Sequence, residues 1–334
     1  VYKRQAQAYL GGGDYAIDDL RRHDEAYQDD LARAREDIDS ARSLAAKASS
    51  SYDKVLSLLS LGKLIERLGL AGTAFEYPFA DNSFAAYRAA LAESNRIGSP
   101  LGYAQSLRLL GELYLRSGRH SEALALAETS RRESRKAGSE VCLFFAEWLT
   151  ARSLAGLKKK EEALAAFRRA LLLLQTIRSD VARAYGTSTS SFRETVGPIY
   201  FEFAELLLED VKSPVTGDGL AVLREARSII EAFKSAELED YFKDDCVNLA
   251  KSSESGVGEI DTSGTAILYV SPLPSMTAIL VGIGDELHYF TTDTTAAELN
   301  ESARQFRFAI EQDIGTFRHY DFSEEVYEAI LAPA

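Results

Sequence analysis

One helical hairpin is written three times in this chain, at intervals of 40 residues, and that recurrence limits what it can fold into more than any other feature. The middle copy reads Leu110-Gly111, Tyr114, Ala123, Ala127 and Ser130. Forty residues on stand Thr150-Ala151, Leu154, Ala163, Phe167 and Ala170; forty residues back stand Leu70-Ala71, Ser83, Tyr87 and Ala90. Three positions are small in every copy: Ala71/Gly111/Ala151, Ser83/Ala123/Ala163 and Ala90/Ser130/Ala170. Antiparallel helices pack closely only where a small residue lets one backbone rest on the other, with large side chains filling the gaps alongside. Small residues in register at all nine positions predict stacked helical hairpins rather than independent amphipathic helices.

The small/large spacing resembles a tetratricopeptide repeat, in which Leu-Gly and Tyr mark the first helix and Ala-x-x-x-Phe the second. This sequence departs from that pattern at Ala127, where an aromatic is usual, and at Thr150, where Leu is usual. No copy carries the closing Pro. The period also exceeds the usual ~34 residues, which lengthens each helix pair by about a turn and a half. The expected fold class is mainly α: a tetratricopeptide-type α-solenoid over residues 51–178, followed by the N-terminal part of an α/β domain.

At 334 residues, more than one unit is expected. A formal net charge of −13 disfavours a general nucleic-acid or anionic-membrane binder. Cys142 and Cys246 are too few and too far apart for a disulfide framework or a zinc site, which points to reduced thiols and a cytoplasmic setting. No run of 18 apolar residues occurs.

Val1-Tyr2-Lys3-Arg4-Gln5 resembles a translated sequencing adapter, so residues 1–5 are set aside as a sequencing artefact and the chain is expected to be a fragment. Residues 6–50 read as the remnant of an upstream helical repeat plus a connecting helix. Gly11-Gly12-Gly13-Asp14 is a turn, since a phosphate cradle needs a preceding strand and a following Lys-Ser/Thr. Asp24 to Lys47, with sparse apolar positions at Leu31, Ile38 and Leu44, reads as a mostly solvated helix ended by Ser49-Ser50-Ser51. Within the array, Gly118-Arg119-His120 and Gly156-Leu157-Lys158-Lys159-Lys160 are turns, the lysines a solubilising loop beside Glu161-Glu162.

Residues 179–250 read as a further helical segment, with a pair from Ser179 to Glu209 broken near Gly186 to Ser191, then Leu220 to Leu249. Residues 251–264, rich in Ser, Gly and Asp, form a linker. Period-2 patterning follows in 265–334: strands at Ala266–Val270, Thr277–Ile283 and Leu287–Thr292, with a hairpin signal at Gly284-Asp285-Glu286. Thr295-Ala296-Ala297-Glu298 is a capping box opening a helix with Leu299, Phe306 and Ile310 on one side, and a last helix starts near Ser323. Three strands at a sheet edge plus two helices make an unfinished domain, so truncation is expected.

Several phrases of the second half, in order, carry a second resemblance. They are Phe192-Arg193-Glu194 with Pro198-Ile199-Tyr200, Leu206-Leu207-Leu208, and Glu225-Ala226-Arg227 through Ile230-Glu231. The most specific is Glu237-Leu238-Glu239-Asp240-Tyr241-Phe242-Lys243-Asp244-Asp245-Cys246; Leu268-Tyr269, Leu299, Phe306-Arg307 and Val326-Tyr327 to Pro333 follow. From Ser191 to Ala334 the chain resembles bacterial proteins that carry tetratricopeptide repeats ahead of a CHAT domain, a caspase- and separase-like cysteine peptidase fold. The resemblance implies a thiolate activated by a nearby imidazole. The family's His-Gly and Ser-Ala-Cys phrases do not occur here, so no catalytic residue is assigned and the dyad is expected beyond Ala334.

Substitutes fail on their own terms. Cys246 follows Lys243-Asp244-Asp245, an acidic setting that raises a thiol pKa, and Cys142 precedes Leu143-Phe144-Phe145 and reads as core. His288 alternates on a strand and belongs to the sheet surface; His319, in Phe317-Arg318-His319-Tyr320, reads as loop; His23 and His120 read as exposed. No two have metal-ligand spacing, and no cofactor is expected.

Two functions share one half. In the first, the repeats hold a protein partner and gate a CHAT cysteine endopeptidase that cuts a protein substrate, while this fragment itself is inactive. In the alternative, the protein is a non-catalytic scaffold for protein–protein interaction. By the resemblance, partner contacts fall on the inner face of each first helix: Gln105, Arg108, Glu112 and Arg116 in one copy, Trp148 and Arg152 in the next. Trp148 reads equally as a contact or as core, and Arg108 with Arg152 would suit an acidic segment.

Overall fold

The computed structural model describes residues 33, 35–70, 79–185, 196–211, 215, 217–242, 266–283, 286–311 and 316–333. The side chains of 69, 70, 79, 178–185, 218, 239–242, 309 and 316–322 lie outside that description. The chain is mainly helical with one small antiparallel sheet, and it forms two compact units, Val1–Leu157 and Lys158–Ala334.

The first unit holds α1 (35–47), α2 (Tyr52–Leu70), α3 (Phe79–Arg96), α4 (Pro100–Arg116), α5 (His120–Lys136) and α6 (Glu140–Gly156). From α2 onward each helix packs on the next, and α2, α4 and α6 also touch in sequence as one layer, an arrangement of the α-solenoid kind. The last three helices begin at 100, 120 and 140, so the 40-residue hairpin is two 20-residue helix-plus-turn steps. The turns show why. Gly98, Gly118 and Gly138 have φ of 64°, 74° and 63°, and Lys158 follows 20 residues later at 61°. A left-handed residue just past a helix lets the next amide reach back five residues. Ser99, Arg119 and Ser139 donate in this way to the carbonyls of Ser94, Tyr114 and Ser134, at 2.9, 2.9 and 3.0 Å. Ser99 and Ser139, 40 apart, then cap the helices they precede by accepting from the amides of Gly102 (3.2 Å) and Cys142 (3.3 Å).

Of the nine small register positions, Ala71 lies outside the described residues. The other eight are all buried, and every one with a side chain has no exposed surface. Gly111 shows the close approach directly, because a Cβ there would sit 2.6 Å from Leu149 Cδ2. Ser130 adds a polar tie between hairpin helices, donating to the Ala104 carbonyl at 2.8 Å. In α1, Ile38 is buried against Leu61 and Ile65, while Leu44 is exposed and its neighbour Ala45 turns inward instead.

The second unit holds α7 (Lys160–Tyr185), α8 (Gly197–Leu208), α9 (Asp218–Phe242), β1 (Ala266–Pro272), β2 (Thr277–Ile283), β3 (Glu286–Thr292), α10 (Ala296–Glu311) and α11 (Thr316–Ile330). Helix α7 is continuous through residue 178. Phe167 of α7 stacks on Phe203 of α8 at 5.4 Å, Tyr200 and Phe201 meet Phe233 of α9, and Arg168 grips Glu225 through two hydrogen bonds of 2.7 and 2.8 Å.

The sheet order is β1-β2-β3, with Tyr269, Leu280 and Tyr289 side by side across it. That row faces α9, whose Arg227 guanidinium lies 4.7 Å from the Tyr269 ring. The hairpin closes between Ile283 and Glu286. The capping box forms in both directions: Glu298 accepts from the Thr295 amide at 2.9 Å, and Thr295 Oγ1 accepts from the Glu298 amide at 3.3 Å.

One expectation for this unit needs correcting. Helix α11 begins at Thr316 rather than near Ser323, so 317–320 is helix and not loop. On α10, Leu299 is buried and Ile310 exposed. The expected linker 251–264, the turn at Gly11–Asp14, residues 1–5, and the Phe192–Glu194 and Lys243–Cys246 phrases lie outside the described residues.

Candidate functional site

The six residues singled out for partner contact sit in the α2–α4–α6 layer of the first unit. Gln105, Arg108, Glu112 and Arg116 follow one another at helical spacing down one face of α4. Each is tied to a neighbour. Gln105 accepts from the Tyr52 hydroxyl at 3.1 Å, reaching α2. Arg108, only 9% exposed, pairs with Glu112 at 2.5 Å, and its guanidinium lies 4.9 Å from the Phe145 ring of α6. Arg116 pairs with Glu66 of α2 at 2.5 Å. On α6, Phe145 and Trp148 are nearly parallel, 23° apart with centroids at 6.4 Å, and Arg152 lies 5.8 Å from the Trp148 ring. The layer thus carries two stacked aromatic rings flanked by arginines, Arg108–Phe145–Trp148–Arg152, each step a cation–π or stacking contact. Trp148 is half-buried.

Lys63, Glu66, Phe145 and Tyr52 belong to this surface and were absent from the sequence candidates. Phe145 was findable: it stands one 40-residue period after Gln105, as Trp148 does after Arg108 and Arg152 after Glu112. Phe145 is itself buried, as the run Leu143-Phe144-Phe145 reads, with its ring against the Arg108 guanidinium. Lys63 and Glu66 had no such signal, because the first copy lacks matching polar positions.

Burial shapes the charges here. The Lys63 ammonium is pushed below its ordinary pKa, first by crowding from its neighbours and then by the nearby Arg108 charge. Burial raises the Glu66 carboxyl, against the pull of Arg116, and burial also raises the Tyr52 phenol. Tyr87, fully buried, lays its ring on Gly62, where any larger residue would collide with it.

None of these groups forms a nucleophile–base arrangement. Cys142, the one cysteine among the described residues, is buried; Cys246 and His23 lie outside them, as does the His319 side chain. His288 is on the exposed face of β3, 3.3 Å from Glu286. His120 departs from its expected exposure: it is half-buried with Nδ1 shielded, because its ring lies against Gly156, which has no side chain to displace it. Among the described residues, no group of three or more His, Cys, Asp or Glu is arranged to hold a metal ion, and no helix is long and apolar enough to cross a membrane. No protein-family model matches the chain, and no curated protein matches it.

Proposed function

We propose that this chain is the partner-binding part of a tetratricopeptide-repeat protein with a CHAT-like domain, working in the cytoplasm and holding a protein segment on its α2–α4–α6 layer. The observation that carries this is the layer itself. The three first helices bring the Phe145–Trp148 pair together with the ion pairs Arg108–Glu112 and Arg116–Glu66, while the small residues of the register are spent on helix contact. Interfaces concentrate Trp, Phe and Arg in this way, and stacked repeats bind through the surface their first helices share.

The CHAT-like part rests on the sequence phrases together with a strand-hairpin-helix order that suits the start of an α/β domain. In the endopeptidase reading, partner binding by the repeats gates a His/Cys dyad supplied by residues outside Val1–Ala334. In the scaffold reading, binding is the whole activity. Sequencing the source DNA past position 334 separates them. A His-Gly and a Ser-Ala-Cys phrase, each closing an apolar strand within roughly the next 200 residues, support the peptidase. A stop, or strands without the pair, leaves the scaffold.

A further inference from the structure

Helix α9 is held differently on its two sides. Toward α8 it buries Phe233, whose ring meets Tyr200 at 5.7 Å and Phe201 at 4.7 Å and lies against Gly197. Toward the sheet it presents Arg227, Glu231 and Lys234, which follow one another at helical spacing. The Arg227 guanidinium lies 4.7 Å from the Tyr269 ring and the Lys234 ammonium 5.8 Å, while Arg227 is also paired with Glu231 at 3.0 Å. Two residues apart on β1, Tyr269 and Ser271 share the face turned to α9 and are more than nine-tenths buried. Among the described residues, no group bonds either hydroxyl. Arg227 and Glu231 stand near enough to the Tyr269 hydroxyl to act on its charge, but neither meets it in hydrogen-bond geometry. Buried hydroxyls without partners weaken a contact, a cost that Phe and Ala at the same places would not carry. A second tie crosses from α8 to the β1–β2 turn: the Glu205 carboxylate accepts from the Ser275 amide at 2.9 Å and from the Ser275 hydroxyl, at a solvent-exposed position.

We propose that the seam between α9 and the three-stranded sheet is an opening line built into the second unit, fastened by the Glu205–Ser275 clasp. The sheet parts from α9 while α8 and α9 stay packed through Phe233, and the Tyr269–Leu280–Tyr289 row is uncovered. Opening lets water reach the two hydroxyls that the closed seam leaves without partners, so the closed state is held only weakly. This device is independent of what the first unit binds.

The test is thiol labelling of the folded full chain with an iodoacetamide dye, in a Cys142→Ala, Cys246→Ala background. A single cysteine is introduced as Leu280→Cys on the sheet face under α9 or, for comparison, as Ala204→Cys on α8; both positions are fully buried. Each reacts only when its cover opens, so the labelling rate reads the opening. Leu280→Cys should label at least about tenfold faster than Ala204→Cys, and with a weaker urea dependence, because a parted seam exposes less surface than unfolding does. Tyr269→Phe combined with Ser271→Ala should slow Leu280→Cys about tenfold, and Glu205→Ala should speed it by about as much. Equal rates with equal urea dependence at the two cysteines overturn the proposal, since the sheet then opens only with the whole unit. A rate unchanged or raised by Tyr269→Phe with Ser271→Ala overturns it too, because the hydroxyls are then not the weakness of the seam. Circular dichroism checks each variant, and Ala278→Cys, buried on the same sheet face, replaces Leu280→Cys if that substitution disturbs the fold.

Discussion

Gly111 offers the sharpest perturbation, because two well-known effects oppose each other there and the geometry decides between them. Glycine inside a helix costs about 1 kcal/mol relative to alanine, so Gly111→Ala on an open helix would stabilise by that amount. Here the new Cβ would lie 2.6 Å from Leu149 Cδ2 and 3.5 Å from the Ala123 carbonyl oxygen, and Leu149 is itself buried with little room to turn. Overpacking of this kind costs about 1–3 kcal/mol, so the net expectation is a loss of up to about 2 kcal/mol.

Leu149→Ala removes the colliding methyl at its own cost of about 2–5 kcal/mol. In that background Gly111→Ala should turn favourable by about 1 kcal/mol, giving a coupling of about 1–3 kcal/mol in the double-mutant cycle. Urea unfolding of the full chain, followed by Trp148 emission, reads this out, since Trp148 is the only tryptophan and belongs to the first unit. If Gly111→Ala stabilises wild type and the two substitutions are additive, the close approach at the register position is not what holds the hairpins together.

The other predictions are local. Lys158 occupies the left-handed position that its three counterparts give to glycine, so Lys158→Gly should raise stability by up to about 1 kcal/mol in thermal unfolding, whereas Gly138→Lys should lower it. Ser139→Ala removes the cap on the Cys142 amide and should cost about 1 kcal/mol in the same urea assay. Glu298 titrates below an ordinary glutamate, chiefly because the Thr295 amide donates to it. Its folded pKa is depressed, so the stabilisation is present above the unfolded value and fades as pH falls through the lower folded one. A carbon-13 titration of Glu298 should show its midpoint rising toward the ordinary value in Thr295→Ala, which loses the hydroxyl's share of the capping box; an unmoved midpoint would leave that share without effect.

What was legible in the sequence was what repeats or alternates. Small residues 40 apart encode backbone contact, and each described member is buried. Alternation and a Gly-Asp turn encode the β2–β3 hairpin, whose strand limits match at Thr277, Ile283 and Thr292. The 20-residue step was half visible: Gly98, Gly118 and Gly138 announce left-handed turns, but Lys158 breaks the signal while keeping the conformation.

Pairwise side-chain facts were not legible. Glu147, within an apolar stretch, is nearly fully buried because Arg131 and Arg135 of the preceding helix reach it at 3.4 and 3.7 Å. His120 is shielded only because a glycine 36 positions later comes to rest against it. Arg108 reads as a solvent-facing contact residue, yet Glu112 and the Phe145 ring enclose it. Such facts depend on which helix lies opposite, and the pattern within a single helix does not carry them.

Amide hydrogen exchange on the full chain, with and without a peptide selected for binding to it, tests the central claim most directly. Slowed exchange over Tyr52–Leu70, Pro100–Arg116 and Glu140–Gly156 together is the predicted result, since a ligand on that layer shields those three helices in common. Protection confined to β1–β3 or to α10 and α11, with those three helices unchanged, would contradict it.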